Sequence, residues 1–177
     1  MRKELITHFS FVAAFFLLIS LVRGWFDPTY IPFWIGGIIG TLLPDIDHLI
    51  YVYFLRPQEP VSQKASEMVG NKDYSGALNL LTNSRGNRTK LIFHTGYFQI
   101  LFMIFTFFVI TSSGSLLGWG LVLSFSLHLL VDQYIDLTET GRLATWFKEF
   151  PANMESQQMR WYLIVVLVLL LIFGFLL

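Results

Sequence analysis

Apolar residues gather in five runs, at residues 5–22, 31–55, 91–111, 116–135 and 161–177, with short polar stretches between them. Each run approaches the roughly 20 residues that carry a helix across a bilayer. The pattern predicts an all-α, polytopic helical membrane protein with about five transmembrane helices. Pro44, Asp45, Asp47 and His48 interrupt the second run. A proline there removes a backbone hydrogen bond, so the helix either kinks or ends near Leu43 and restarts. The first run follows Arg2 and Lys3 as a signal peptide would, but residues 21–25 offer no small-x-small cleavage site, so it is expected to stay as a helix.

The connections carry the charge. Eleven of the twelve Lys and Arg residues fall before run one, between runs two and three, or between runs four and five; Arg23 alone falls in the opposite set. That asymmetry predicts a cytoplasmic N-terminus and a multi-pass protein of the inner (plasma) membrane. The expected organisation is one integral membrane domain over 1–177. A cytoplasmic helical connection is expected at 56–90, and a cytoplasmic or interfacial one at 136–160. Asp73 is a candidate cap for a short helix over 74–81. Residues 143–150, with Trp146 and Phe147, predict an interfacial helix stopped by Pro151.

Composition agrees with this reading: 54% of residues are hydrophobic and only 14% charged, with zero formal net charge. No basic tract points to nucleic acid as a partner. The absence of cysteine excludes disulfides, thiolate metal sites and cysteine nucleophiles. Membrane lipid is the expected partner, and the polar-free remainder of the fifth run after Tyr162 leaves room for homo- or hetero-oligomers through transmembrane helices.

Polar residues inside or at the ends of apolar runs are costly and usually mark function. Here they are His8, Asp45, Asp47, His48, His94, His128 and Asp132, which include every histidine in the chain. With the N-terminus inside, all seven fall at one depth, the cytoplasmic end of their runs. His128 and Asp132 are four apart and share a helical face. Alone, that pair serves equally well as an interhelical hydrogen bond. Asp45 and Asp47, two apart, face a common partner only if the helix is distorted there. A proton relay or charges snorkelling to the cytoplasm is the alternative for this cluster. Oxygen and imidazole donors without thiolate suit a divalent metal, zinc first, with manganese, iron or magnesium also possible. Arg85, Arg88 and Lys90 precede His94; they serve as lipid-facing anchors, or Arg88 and Lys90 as a phosphate clamp. Asp136 and Glu139 read as solvated groups, with a role supporting the ligands as the alternative.

Together, Thr7-His8, the stretch from Gly40 to His48 ending Leu-Leu-Pro-Asp45-Ile-Asp47-His48, His94-Thr95, and Ser126-Leu-His128-Leu-Leu-Val-Asp132 resemble the YdjM-type family of inner-membrane, metal-dependent hydrolases. The likeness covers most of runs one to four; the His128/Asp132 end also resembles, more distantly, part of the metal site of zinc-dependent phospholipase C enzymes. The family usually carries a His-Arg-x-x-Thr-His stretch. This chain has Thr89-Lys90-Leu-Ile-Phe93-His94, without the first histidine. The resemblance implies hydrolysis at a metal site; the seven polar residues would be ligands and their partners, with Asp47 and His94 taking the proton from water. A site at headgroup level suggests a lipid or lipid-linked phosphate ester as substrate. The other reading is a non-catalytic metal-binding or proton-handling protein, a transporter or a structural subunit of a membrane complex.

Overall fold

The computed structural model describes residues 2–84, 91–141, 143, 145–148, 150 and 155–177. The chain is an all-α helical membrane protein: α1 (Arg2–Arg23), α2 (Ile31–Leu42), α3 (Ile46–Ile50), α4 (Pro60–Gly70), α5 (Tyr74–Asn83), α6 (Gly96–Ser112), α7 (Leu116–Thr140) and α8 (Ser156–Leu176). Among the described residues, four stretches, Glu4–Arg23, Pro28–Leu55, Leu116–Glu139 and Ser156–Leu176, are long and apolar enough to cross a bilayer, and Gly96–Ser112 is apolar but shorter.

Helix α7 forms the centre. Its residues from Gly120 to Gln133 are almost all buried, as expected of a helix that is apolar all round. Helix α2 lies against it at backbone distance because both present small residues. A Cβ built on Gly36 or Gly40 would collide with the carbonyl oxygen of Leu117 or Leu121, and one on Gly120 with that of Phe33. In lipid, where apolar surface gains nothing by association, such close backbone packing is what joins helices. Phe16 of α1 fills the space above Gly37 and stacks on Phe33 at 4.2 Å.

Pro44 decides the course of the second span. Helix α2 stops at Leu42, and the chain tightens through i→i+3 bonds, Ile46 N–H to Leu43 O, Asp47 N–H to Pro44 O and His48 N–H to Asp45 O, each 3.1 Å. It restarts as α3, then widens into a π turn over Tyr51–Leu55, closed by the Arg56 N–H to Tyr51 O at 2.8 Å. Of the two expected outcomes, the helix ends and restarts. Beyond it α4 and α5 form a hairpin whose Ala65 and Leu81 pack on Val52. Asp73 caps α5, accepting the Gly76 N–H at 2.9 Å.

Three expectations shift. The run at 91–111 is helical only from Gly96, where Thr95 caps α6 through the Phe98 N–H at 3.3 Å. Helix α7 runs to Thr140 and α8 begins at Ser156, so the connection between them is shorter than 136–160. Gly141, at φ +68°, ends α7 by returning its N–H to Leu137 O. The described part of 143–150 is a series of turns, and Leu143, Trp146 and Phe147 are buried rather than spread along an interface. Their polar groups are engaged inside the protein: the Trp146 carbonyl accepts the Gly96 N–H at 2.8 Å, and its indole N–H donates to Asp136 Oδ2 at 2.7 Å.

Two contacts fix the far end. Arg23 donates to the Phe175 carbonyl at 2.6 Å, placing the last turns of α1 and α8 side by side. Trp25 stacks on Tyr30 and Trp119 there, an aromatic grouping suited to a membrane–water boundary. The starts of α1 and α6, the α2–α3 junction and the end of α7 therefore meet at the opposite end.

Candidate metal centre

That opposite end brings the polar residues together. Asp132 is the hub. Its Oδ1 lies 3.1 Å from His8 Nε2, and its Oδ2 lies 3.0 Å from His94 Nε2 and 3.3 Å from His128 Nε2. Three imidazole Nε2 atoms, from α1, the segment before α6, and α7, converge on one buried carboxylate. The His8 and His128 rings stack at 4.0 Å between centroids.

Two of the three imidazoles, His8 and His94, are aimed by their other nitrogen. His8 Nδ1 is 2.8 Å from the Glu4 carbonyl. A carbonyl only accepts, so Nδ1 carries a proton; a neutral ring then turns its Nε2 lone pair toward Asp132, whereas a protonated ring donates to it. His94 Nδ1 lies 3.1 Å from Asp47 Oδ2. Asp47 is itself held by the N–H groups of Ile92 (2.9 Å to Oδ1), Phe93 (2.7 Å to Oδ2) and His94 (3.3 Å to Oδ2). These bonds explain why Ile92, Phe93 and His94 stay out of the helix: their amides are satisfied by a carboxylate 45 to 47 positions earlier. Asp47 is completely buried and stands behind His94.

His128 is 2% exposed, and neither of its ring nitrogens makes a hydrogen bond among the described residues. A buried imidazole without hydrogen bonds is expensive. Its Nε2 also faces Asp45 Oδ1 at 3.7 Å. Asp45, at the helix break, has a side chain 45% exposed and is the open edge of the cluster. His48 stacks its ring on His94 at 5.2 Å from the outer side.

The donor set fits a divalent cation. A neutral His8 turns a lone pair toward a carboxylate oxygen, and a neutral His94 has one N–H for two carboxylates, so these contacts call for positive charge, which either a bound cation or protons on the imidazoles supply. Ligand atoms about 2.0–2.1 Å from a tetrahedral ion sit about 3.3 Å apart, close to the spacings here. His8, His128 and Asp132 each present one such atom within 4.8 Å of the others. An imidazole whose Nδ1 is tied to a carbonyl or carboxylate is the usual support of a metal-binding histidine.

Comparison of the chain with protein-family models, with curated proteins and with solved structures returns no match.

Of the sequence candidates, His8, His94, His128 and Asp132 form the cluster, Asp47 supports it, and Asp45 and His48 border it. Arg88 and Lys90 lie outside the described residues, as does Arg85. Sequence reasoning favoured the solvated reading for Asp136 and passed over Gln99, Gln133 and Tyr162. Asp136, read as solvated, holds the Trp146 indole, and Trp146 covers His94 at 5.5 Å. The signal was present, because 128, 132 and 136 fall on one helical face. Gln99, Gln133 and Tyr162 form a buried knot joining α6, α7 and α8, with Gln133 Nε2 2.7 Å and Tyr162 OH 2.5 Å from Gln99 Oε1. No local pattern announces that pairing.

Proposed function

We propose that the chain is a membrane-embedded, metal-dependent hydrolase of the YdjM type, with its site at the cytoplasmic face of the inner membrane and a lipid or lipid-linked phosphate ester as substrate. The observation that carries this reading is the convergence of His8, His94 and His128 Nε2 on Asp132. The excess of basic residues flanking the site-bearing ends supports the cytoplasmic placement.

His8, His128 and Asp132 would hold the ion, with His94 beside them. Zinc is the first choice for a site of imidazole and carboxylate without thiolate. When bound, such an ion supplies the charge that polarises a phosphoryl oxygen and makes water nucleophilic near neutral pH. The protein does the rest. The Glu4 carbonyl and Asp47 keep the protons of His8 and His94 on Nδ1, leaving both Nε2 atoms directed inward. Trp146 and the buried aliphatic residues of α7 exclude bulk water, which strengthens every charge interaction inside. Asp45 presents the one carboxylate of the group that substrate and solvent reach directly.

The test is elemental analysis of protein purified without chelator, followed by hydrolysis of phospholipid and phosphatidic acid in vesicles. Stoichiometric zinc, manganese or iron, and turnover lost on chelation and in His128→Ala, support the reading. Bound metal with no turnover of any ester moves the protein to the non-catalytic class, and no bound metal under metal-replete conditions removes the site.

A further inference from the structure

Among the described residues, the second span presents a stripe of exposed apolar side chains that contains a single acid. Ile31, Ile35, Ile38, Leu42, Leu49 and Tyr53 follow one another at helical spacings of three and four, and all are exposed, from 42% at Tyr53 to 53% at Ile31. Asp45 falls in register between Leu42 and Leu49. Its side chain is 45% exposed, yet its Oδ1 is 3.7 Å from His128 Nε2, which is 2% exposed and lies 3.3 Å from Asp132 Oδ2. The remaining members of the cluster, His8, Asp47, His94 and Asp132, are buried. The bilayer-facing surface and the buried centre thus communicate at Asp45. An acid in a lipid-facing stripe is costly and calls for a reason. The break at Pro44 supplies the geometry, because the tightened turn there swings Asp45 toward α7 while Leu42 and Leu49 stay outside.

We propose that the site opens sideways into the bilayer at Asp45 and takes an amphiphile whose hydrocarbon chain lies along the Ile31–Leu42 part of the stripe while its polar head reaches His128 and Asp132. This rests on the reading above and narrows its substrate to chain-bearing molecules approaching from the lipid. A chain along the stripe needs only to replace the lipid that already covers it.

The absence of cysteine makes the test direct. Nitroxide labels are placed on single-cysteine variants Leu42→Cys and Leu49→Cys, with Val168→Cys, on the exposed face of α8, as control. The labelled, zinc-supplemented protein is studied in phosphatidylcholine nanodiscs with and without dioleoyl phosphatidic acid, and with glycerol 3-phosphate as the chainless head. The expected result is relaxation by oxygen but not by a water-soluble nickel chelate at both positions. Dioleoyl phosphatidic acid is expected to reduce label mobility there and not at residue 168, and glycerol 3-phosphate is expected to do nothing. Chelate access at residues 42 and 49, protection from both relaxants as under a partner helix or a second copy, or equal effects of the two phosphates would overturn the proposal. So would no response to phosphatidic acid. None of these readouts needs turnover, so the opening and the hydrolytic reading fail separately.

Discussion

Asp47 holds His94 by both its side chain and its backbone: one carboxylate oxygen lies 3.1 Å from His94 Nδ1 and also receives the His94 N–H at 3.3 Å. The tight turn after Pro44 therefore sets the direction of an imidazole that is distant in sequence. Asp47→Asn keeps an acceptor for only one of the Ile92 and Phe93 amides, which bond to different carboxylate oxygens, and cannot offer a carboxylate to Nδ1. It is expected to weaken zinc binding by about 10–100-fold with stoichiometry unchanged, as for other groups that support metal-binding histidines. Competition with a chromogenic chelator measures this; unchanged affinity would remove Asp47 from the site.

Metal should stabilise the fold, because three separate elements meet on Asp132 only when folded. At zinc one hundred times its dissociation constant, the wild type is expected to gain about 2.7 kcal/mol over the chelated protein. Asp132→Asn and His8→Ala are expected to gain nothing. Thermal unfolding in detergent, followed by circular dichroism with and without zinc, reads both.

Trp146 sits on His94 and donates to Asp136. Bound cobalt is expected to quench tryptophan fluorescence, and Trp146→Phe to lose most of that quenching, although four other tryptophans remain. The substitution removes one hydrogen bond and is expected to cost about 1 kcal/mol. Trp146→Ala empties a packed position and is expected to cost about 3–5 kcal/mol.

The approach of α2 to α7 leaves no room for side chains at Gly36, Gly40 and Gly120. Gly40→Val is expected to cost about 3 kcal/mol or more, and to abolish metal binding by moving the Pro44 turn away from α7. Gly70 has open space around it. Gly70→Ala is expected to be neutral or to gain about 0.5–1 kcal/mol. Equal effects of the two would contradict the packing described.

The hydrophobic pattern alone determined the class of fold, because a bilayer demands long apolar helices and few other structures satisfy their backbones in lipid. It also determined the depth of the polar residues, since position along a membrane-spanning run fixes height in the membrane. The cap at Asp73 was legible because capping is local. Tertiary structure decided what each polar residue does. Asp47, His94 and Asp132 carry no mark in sequence of which is hub and which is support; that depends on which nitrogen meets which oxygen across three elements. The same holds for residues 91–95, whose apolar character predicts helix. They stay out of the helix because the Asp47 carboxylate, contributed from 45 to 47 residues away, satisfies the amides of Ile92, Phe93 and His94. Trp146 likewise reads as interfacial until the position of Asp136 and the Gly96 amide draws it inward. Local periodicity encodes what a segment buries, whereas only the packed chain settles what it is buried against.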